Sequence, residues 1–444
     1  MLISGHSRTI KAKKNIYASF IIKGVDILIG LLLVPLYLKY LGQTLYGTWL
    51  TITSIVMWFR FLNLGLGNGL RNKFIEAKAN NDYEKVRYYI STTYVIISII
   101  VPVFIIIFFC INPFINWVKI LKIDEIYADE INLLVIITFL FFGLTLIVNL
   151  INVILLADQS PAKSNLLNLI TRSIILLGIY VLFRLNTKSI VYVGIVYSAT
   201  PVMIYIIASI YFFSKKYKTF RPSIKYFQLK YVKDLTTLGL KFFYIQLTAI
   251  VLYTADNFII TQLFSARDVA PYQIANKYFN IPYMFFLIIL QPMWAAAGDA
   301  YHRKEFLWLK KTEKSLLLIW LLFSFGILLM LIFSNWVYHI WLGNQITIEY
   351  GISLAWAIFI IISSYNAIYT NFINGIGKLR IQLLIATYSL IAKIPLSILF
   401  ASSFKWGVQG VAYATLTSIL LSSFFKTVQF KKLAANTAYG IWIK

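Results

Sequence analysis

Apolar runs of about 20 residues recur along the whole 444-residue chain, and short polar segments separate them. Runs of that length match the number of helical residues that cross the roughly 30 Å hydrocarbon core of a bilayer. The pattern therefore predicts an all-α integral membrane fold with about twelve transmembrane helices. Their predicted bounds are 15–38, 46–67, 88–110, 130–157, 163–184, 190–213, 236–263, 269–295, 315–338, 350–374, 380–402 and 408–430.

The composition is typical of a membrane protein and excludes an ordinary soluble one. Apolar residues make up 60% of the chain and charged residues 13%, whereas soluble domains have about 25% charged residues. The first apolar run follows four basic residues and has no small-residue cleavage site. We therefore expect it to be retained as the first transmembrane helix and not removed as a signal peptide.

The net charge of +25 would suggest nucleic acid binding in a soluble protein, but its distribution indicates another cause. The predicted inner segments hold 28 Lys and Arg residues and the predicted outer loops hold 7. Cytoplasmic loops carry such an excess, so we predict cytoplasmic termini and no nucleic-acid partner. The inner segments are the N-terminus, 67–88, 158–163, 214–234, 299–314, 375–382 and the C-terminus from 426.

The predicted spans form two sets of six. We predict an N-terminal half at 1–213, a basic cytoplasmic linker at 214–235, and a C-terminal half with a cytoplasmic tail at 236–444. The Lys, Arg and Tyr content of the linker suits the anionic inner leaflet, so membrane lipid is an expected partner.

Two internal matches share an offset of 223 residues. Trp49 falls on Tyr272, and residues 82–87 fall on 305–310 with acidic, aromatic, aliphatic and basic positions aligned. Because six is an even number of spans, duplicated halves would have the same orientation in the membrane. The expected relation is a pseudo-twofold axis along the membrane normal.

Eight charged residues lie inside the predicted spans, apart from those near span ends that are assigned to the adjoining loops. At the centre of a span each would cost about 2.5–3.5 kcal/mol if it faced lipid, so we expect an interior cavity with a net charge of +4. The basic residues are Lys23, Arg60, Arg172, Lys241, Lys277 and Lys393, and the acidic ones are Asp26 and Asp256.

These charges share helix faces with other polar side chains. Because the faces belong to the first two helices of each half, we predict that they line a central cationic cavity between the halves. The faces are Lys23, Asp26, Gly30 and Tyr37; Trp49, Thr53, Arg60, Asn63 and Gly67; Lys241, Thr248 and Asp256; and Gln273, Lys277, Asn280 and Gln291.

Other interpretations of these charges stay open. Arg60, Arg172 and Lys241 lie near inner helix ends, where a long side chain can reach the lipid headgroups. Lys23 and Asp26 are one turn apart and can form a simple ion pair. Asp26 and Asp256 are the candidates to bind H+ or Na+, and Asp256 is the better one because it has no evident partner on its own helix. Neighbouring cations oppose protonation near neutral pH.

Other motifs give no sign of an enzyme. A lone Cys110 excludes an internal disulfide, and three scattered histidines do not suggest a metal site, so we expect no metal or cofactor. The run 65–69 lacks the context of a phosphate loop and is interpreted as a helix end, with Gly67 or Asn68 in left-handed geometry. Four acids in an outer loop could supply catalytic carboxylates, but we interpret them as solvated: Asp124, Glu125, Asp129 and Glu130.

Two stretches carry a family resemblance. LGQTLYGTWLTITSIVMWFRFLNLGLGNGLRNK, residues 41–73, resembles the first-loop and second-helix signature of bacterial O-antigen and capsular polysaccharide flippases. These belong to the multidrug/oligosaccharidyl-lipid/polysaccharide exporter superfamily. TADNFIITQLFSARDVAPYQIANKYF, residues 254–279, is similar to that family's junction of helices seven and eight. The family often has aspartate where this chain has Asn63, so an ion-coupling role at that position does not carry over.

The resemblance implies a flippase of the bacterial inner membrane. It would move an undecaprenyl-pyrophosphate-linked oligosaccharide repeat unit from the cytoplasmic to the periplasmic leaflet by alternating access, with H+ or Na+ as candidate coupling ion. A polysaccharide polymerase and a chain-length regulator are candidate partners. Our hypothesis is that Arg60, Lys277 and Lys393 attract the pyrophosphate, and the further substrate-binding candidates are Arg172, Lys23, Lys241, Asn63 and Trp49.

Two other functions compete with this one. A membrane polymerase, ligase or glycosyltransferase would act on the same lipid-linked sugars, but the outer loops leave little room for a catalytic domain. A multidrug exporter of the same superfamily would have the same fold, but a positive cavity would repel cationic drugs. We therefore predict a transporter and not an enzyme.

Overall fold

The computed structural model describes residues 7–59, 65–158 and 160–443, and within these ranges the chain is built from helices with no strand. The helices are α1 (Ser7–Trp58), α2 (Leu66–Ala79), α3 (Tyr83–Ile111), α4 (Trp117–Leu121), α5 (Ala128–Val148), α6 (Leu150–Ala157), α7 (Pro161–Leu185), α8 (Ile190–Ser214), α9 (Leu229–Leu263), α10 (Ala266–His302), α11 (Phe306–Ile332), α12 (Ser334–Leu342), α13 (Tyr350–Ile376), α14 (Arg380–Ile398) and α15 (Gln409–Ala434).

The helices confirm the prediction of an all-α membrane fold. Within the described residues, nine segments are long and apolar enough to cross a bilayer. One of them, Ile21–Trp58, has 38 residues, about twice the length that a single span needs. It covers residues 21–38 of the first predicted span and residues 46–58 of the second. The seventh and eighth predicted spans lie within α9 and α10.

A glycine separates the two spans of α1. Gly42 has φ +73° and ψ 174° in a helix that is otherwise continuous from Ser7 to Trp58. Such a backbone conformation is accessible to glycine and strained for residues with a Cβ. The short loop predicted at 39–45 is therefore a break at a single residue.

The prediction that Gly67 or Asn68 takes left-handed geometry is wrong. The left-handed residue is Gly65, with φ +70°, and it directly precedes α2, which contains both Gly67 and Asn68. Much of the basic segment 67–88, expected to be a loop, is thus helical. Within α2, Gly69 allows close packing, because a Cβ there would lie 2.4 Å from the carbonyl oxygen of Leu235 in α9.

Contacts divide the chain into two units, Met1–Leu247 and Thr248–Lys444. In the N-terminal unit a buried core joins residues of α2, α3, α6 and α8 with the start of α9. The basic segment after α8 is fixed to α3, where the Ser91 and Thr92 hydroxyls accept hydrogen bonds from the backbone N–H groups of Ser223 and Gln228. In the C-terminal unit the core joins α10, α11, α13 and α15.

Candidate functional site: charged residues inside the spans

In the N-terminal unit, two cations surround one buried carboxylate. Asp26 in α1 is 4% exposed. The Lys23 ammonium, one turn away, donates to its Oδ2 at 3.0 Å, and the Nε of Arg172 in α7 lies 3.0 Å from its Oδ1. Gly30 makes room for the guanidinium, since a Cβ there would lie 3.4 Å from an Arg172 nitrogen.

The Lys23–Asp26–Arg172 cluster has a net charge of +1 and is open on its cationic side. The Lys23 and Arg172 side chains are 36% and 46% exposed, whereas that of Asp26 is 6% exposed. The buried carboxylate holds both cations in place without neutralising both. Arginine and lysine arranged in this way can bind an anion through charge-assisted hydrogen bonds.

Aromatic side chains pack on the outer part of α1. Tyr37 stacks on Tyr46 across the Gly42 break, with ring centroids 5.5 Å apart. Trp49 meets the ring of Tyr197 in α8 edge-on at 5.2 Å. Because Trp49 is only 2% exposed, it packs inside the N-terminal unit and presents almost no surface to a ligand.

In the C-terminal unit, the equivalent charges form a closed pair. Asp256 in α9 lies with its Oδ1 2.5 Å from the Nζ of Lys393 in α14, and the two side chains are 5% and 0% exposed. The ammonium also donates to the Val411 carbonyl at 3.2 Å and to the Thr415 hydroxyl. The ammonium is thus paired with a carboxylate of α9 and hydrogen-bonded to two acceptors of α15.

The second carboxylate oxygen of Asp256 accepts a hydrogen bond, whereas Oδ1 has the ion-pair contact with Lys393 but no hydrogen bond from the described residues. Tyr272 in α10 donates its hydroxyl proton to Oδ2 at 2.6 Å. No partner for Asp256 was evident on its own helix, and the structure supplies one from each of two other helices. The Asp256–Lys393 pair is neutral and enclosed, so in this structure Lys393 offers no charge to a ligand.

Corresponding helices supply these contacts in the two units. The aspartate comes from the first span of each unit, in α1 or α9, and the distant basic partner comes from the fifth, in α7 or α14. The difference lies in the charge that remains: the N-terminal cluster keeps an excess cation and the C-terminal pair does not.

The other predicted site residues are not all brought together. Lys277 lies half-buried in α10, one turn after Gln273, whose amide donates to the Asn257 side chain at 2.5 Å. Lys241 lies in α9, but its side chain is outside the described part of the structure. Arg60 and Asn63 lie outside the described residues.

The structure also shows a buried lysine that the sequence reading assigned to the cytoplasmic tail. Lys426 in α15 is 5% exposed and donates to the Thr370 hydroxyl of α13 at 2.8 Å. Next to it, Ser422 donates to the Asn366 side chain at 3.1 Å. The spacing of Ser418, Ser422 and Lys426 at four-residue intervals marks one polar helix face, and this signal was present in the sequence.

A second buried carboxylate lies at the predicted inner side of the N-terminal unit. Asp158, after α6, accepts hydrogen bonds from Lys78 of α2, from Lys216 and from the Tyr217 hydroxyl at 2.9 Å. Burial acts to raise the pKa of Asp158, but these hydrogen bonds outweigh it and lower the pKa below its usual value. Burial and the neighbouring carboxylate raise the pKa of Tyr217.

The outer acids are placed as solvated residues. Asp124, Glu125 and Asp129 are exposed. Asp129 and Glu130 occupy the first turn of α5, where negative charge is favoured by the helix dipole. Glu130 also accepts a hydrogen bond from the Ser189 hydroxyl at 3.3 Å.

Comparison with known proteins identifies related sequences and structures. A family model described as polysaccharide biosynthesis protein matches residues 12–296, and a MatE model matches residues 243–399. The chain is 24% identical over 424 residues to a putative O-antigen export protein of Yersinia pseudotuberculosis, with 91% of each chain covered. It is 23% identical over 313 residues to a putative O-antigen transporter of Salmonella typhimurium, covering 69% of this chain and 68% of the relative.

The fold is similar to that of solved transporters. A multidrug resistance MATE family transporter of the MOP superfamily, in an inward-facing conformation, superposes with a TM-score of 0.79. The alignment covers 93% of this chain and 96% of that one at 13% identity. At this identity the likeness establishes the fold.

Proposed function

Because the chain belongs to the polysaccharide biosynthesis protein family, we propose that it is a flippase for a lipid-linked oligosaccharide repeat unit. The proposed cargo is an undecaprenyl-pyrophosphate-linked repeat unit, carried from the cytoplasmic to the periplasmic leaflet of the inner membrane by alternating access. The O-antigen export and transport names of relatives that cover up to 91% of the chain support this proposal. The transporter fold supports it independently.

The observation that carries the proposal is the Lys23–Asp26–Arg172 cluster. A pyrophosphate is a strong anion, and a guanidinium beside an ammonium is a suitable partner for it. Asp26 holds both cations before the cargo arrives, which reduces the entropic cost of binding. We therefore assign the attraction of the pyrophosphate first to Lys23 and Arg172, with Arg60, Lys241 and Lys277 as further candidates.

Lys393 has a different role in this proposal. Since its ammonium is enclosed and paired with Asp256, we propose that it joins α9 to α14 and does not contact the cargo in this conformation. Of the two aspartates, Asp26 is the better candidate to couple transport to H+ or Na+, because its partners are partly exposed. An ion that reached Asp256 would have to displace the Lys393 ammonium.

The proposal extends to location and partners. We propose a multi-pass protein of the inner membrane with both termini in the cytoplasm and the basic segment after α8 against anionic lipid. A polysaccharide polymerase and a chain-length regulator would receive the exported unit. The protein itself would catalyse no reaction.

Multidrug export is the second candidate, because a MatE model matches residues 243–399. The excess positive charge of the Lys23–Asp26–Arg172 cluster argues against cationic drugs. A polymerase or ligase is less well supported, since the outer acids are solvated.

Reconstitution distinguishes these functions. The purified protein is placed in vesicles with the host's lipid-linked repeat unit, and relocation is followed by exposure of the glycan to a membrane-impermeant oxidant. A flippase moves the unit without changing its mass, an enzyme lengthens the glycan, and a drug exporter moves a cationic dye instead.

A matched pair of variants tests the carrying observation. Arg172→Ala should slow relocation about tenfold, since charge-assisted hydrogen bonds are lost. Arg184→Ala, on the exposed outer end of the same helix, should leave the rate unchanged. Equal rates for wild type and Arg172→Ala would remove the cluster from the mechanism.

A further inference from the structure

A pocket of about 530 Å³ opens at one end of the C-terminal unit. It lies where α14 passes into a π-helical turn, Leu399–Ser403, and where α15 then begins. Loop charges predict that this end faces outward. The pocket is lined by Gly351, Phe400, Trp406, Gln409, Tyr413, Leu416 and Thr417.

Three aromatic rings form the walls of this pocket. Trp406 lies 5.0 Å from Phe400 and 5.7 Å from Tyr413, measured between ring centroids. The planes of Trp406 and Tyr413 are nearly perpendicular, at 81°, so the two rings form adjacent walls of the pocket. The indole is 43% exposed and its surface is accessible to a ligand.

One buried polar group of the pocket lining is left without a protein partner among the described residues. The amide oxygen of Gln409 is buried and accepts no hydrogen bond from the described residues. Trp406 and Tyr413 add ring surface to the same pocket, and each also carries a polar group, an indole N–H and a hydroxyl. A buried polar group without a partner costs free energy, and a ligand hydroxyl would remove that cost.

A glycine leaves room for the Gln409 amide. Gly351, in the first turn of α13, has no Cβ, and one built there would lie 3.1 Å from the Nε2 of Gln409. A larger residue would therefore press on the amide. The pocket combines apolar ring surface with a few fixed polar groups, which is the usual character of a ligand site, and its volume falls within the roughly 300–1,000 Å³ of such sites.

We propose that this pocket is a saccharide-binding subsite that holds one sugar ring of the exported glycan at the outer side. The C–H face of a pyranose would pack on Trp406 and Phe400, and its hydroxyls would pair with Gln409 and Tyr413. This inference rests on the proposed function, because it assigns the glycan part of the same cargo to a place in the C-terminal unit.

A lipid acyl chain is the competing occupant, since aromatic residues gather at membrane interfaces. It would fill the apolar walls but leave the buried Gln409 oxygen unpaired. A sugar ring offers a C–H face to the aromatic walls and a hydroxyl to the Gln409 oxygen, and for that reason we favour it.

Binding to the purified full-length protein in lipid nanodiscs tests the subsite. The probe is the host's repeat-unit oligosaccharide after release from its lipid, and its contacts are followed by saturation-transfer NMR and titration. Trp406→Ala should weaken binding about tenfold, as for an aromatic residue that dominates a contact. Gln409→Leu, which keeps the side-chain volume, should weaken it similarly.

Trp336→Ala is the matched control, because Trp336 in α12 is 65% exposed and does not line the pocket. It should bind the oligosaccharide as the wild type does. The subsite is overturned if the wild type shows no binding, if Trp406→Ala and Gln409→Leu both bind like the wild type, or if only phospholipid acyl chains give contacts to Trp406.

The relocation assay separates the two proposals. If relocation is normal in the wild type while saccharide binding does not depend on Trp406, the subsite is refuted and the flippase proposal is kept. Trp406-dependent binding without relocation supports the subsite and removes the transport function.

Discussion

The carboxylate of Asp256 and the ammonium of Lys393 lie 2.5 Å apart in the interior of the C-terminal unit, although 137 positions separate them along the chain. Neither charge is open to solvent, and removing either one would leave the other buried and unpaired. The ion pair therefore contributes to the stability of the folded unit. A loss of transport in a variant at either position has to be compared with its thermal stability.

Lys393→Met should destabilise the protein by about 3–5 kcal/mol, since Asp256 would remain as an uncompensated buried charge. Lys426→Met is the control: this lysine is equally buried, but within the described chain no ion pair joins it to a carboxylate. Its loss should leave thermal stability unchanged or raised. The double variant Asp256→Leu/Lys393→Met should be more stable than Lys393→Met alone, and additive losses would contradict the pairing.

Gly30→Leu should slow relocation of the lipid-linked unit without changing any charge. Its side chain would occupy the place of the Arg172 guanidinium, which lies 3.4 Å from an ideal Cβ, and so move Arg172 away from Asp26. The loss should approach the tenfold effect of a missing charge-assisted contact. Gly24→Leu, six residues earlier on α1 where a Cβ meets nothing within 4 Å, should transport normally, and equal loss in both variants would refute the geometric explanation.

Asp158 should make the stability of the N-terminal unit depend on pH. The pKa of Asp158 is lowered in the folded protein, so its contribution is present above the unfolded value of about 3.9 and is lost as pH falls through the folded pKa. Asp158→Asn should lower the unfolding temperature at pH 7, and the difference from wild type should shrink below about pH 4. Glu125→Gln, at an exposed site, should have no effect at either pH, and a difference for Asp158→Asn that does not vary with pH would argue against an ionised Asp158.

Gly375→Ala should destabilise the C-terminal unit by about 1–3 kcal/mol through overpacking. A Cβ at Gly375 in α13 would lie 2.1 Å from the carbonyl oxygen of Trp294, and one at Gly298 in α10 would lie 2.5 Å from that of Gly375. The backbones of α10 and α13 therefore approach too closely for alanine. Gly326→Ala in α11, where a Cβ meets nothing within 4 Å, should instead stabilise the protein by about 0.5–1 kcal/mol, and thermal unfolding of both variants measures the contrast.

The sequence indicated parts of the candidate site and left others out. Lys23 and Asp26 were placed on one face of a helix, because residues three apart must be neighbours there. Arg172 is predicted only as a charge near a helix end, and the residues around it in the sequence do not indicate a contact with Asp26. Lys426 lies at the start of the predicted C-terminal inner segment, and only the packing of α15 against α13 shows that it is buried.

The sequence by itself determined the class of fold and the approximate positions of most apolar helical segments. Long apolar segments must satisfy their backbone within a helix in a bilayer, so their order and approximate bounds follow from hydropathy alone. The excess of Lys and Arg in alternate loops predicts which side of the membrane each loop faces, because cytoplasmic loops carry such an excess.

Only the tertiary structure decided which charges meet. Asp26 binds a cation of α7, Asp256 one of α14, and Trp406 faces Tyr413 across a helix junction. Such contacts depend on how helices far apart in the chain pack against one another, and the spacing of residues along any single helix carries no record of that packing.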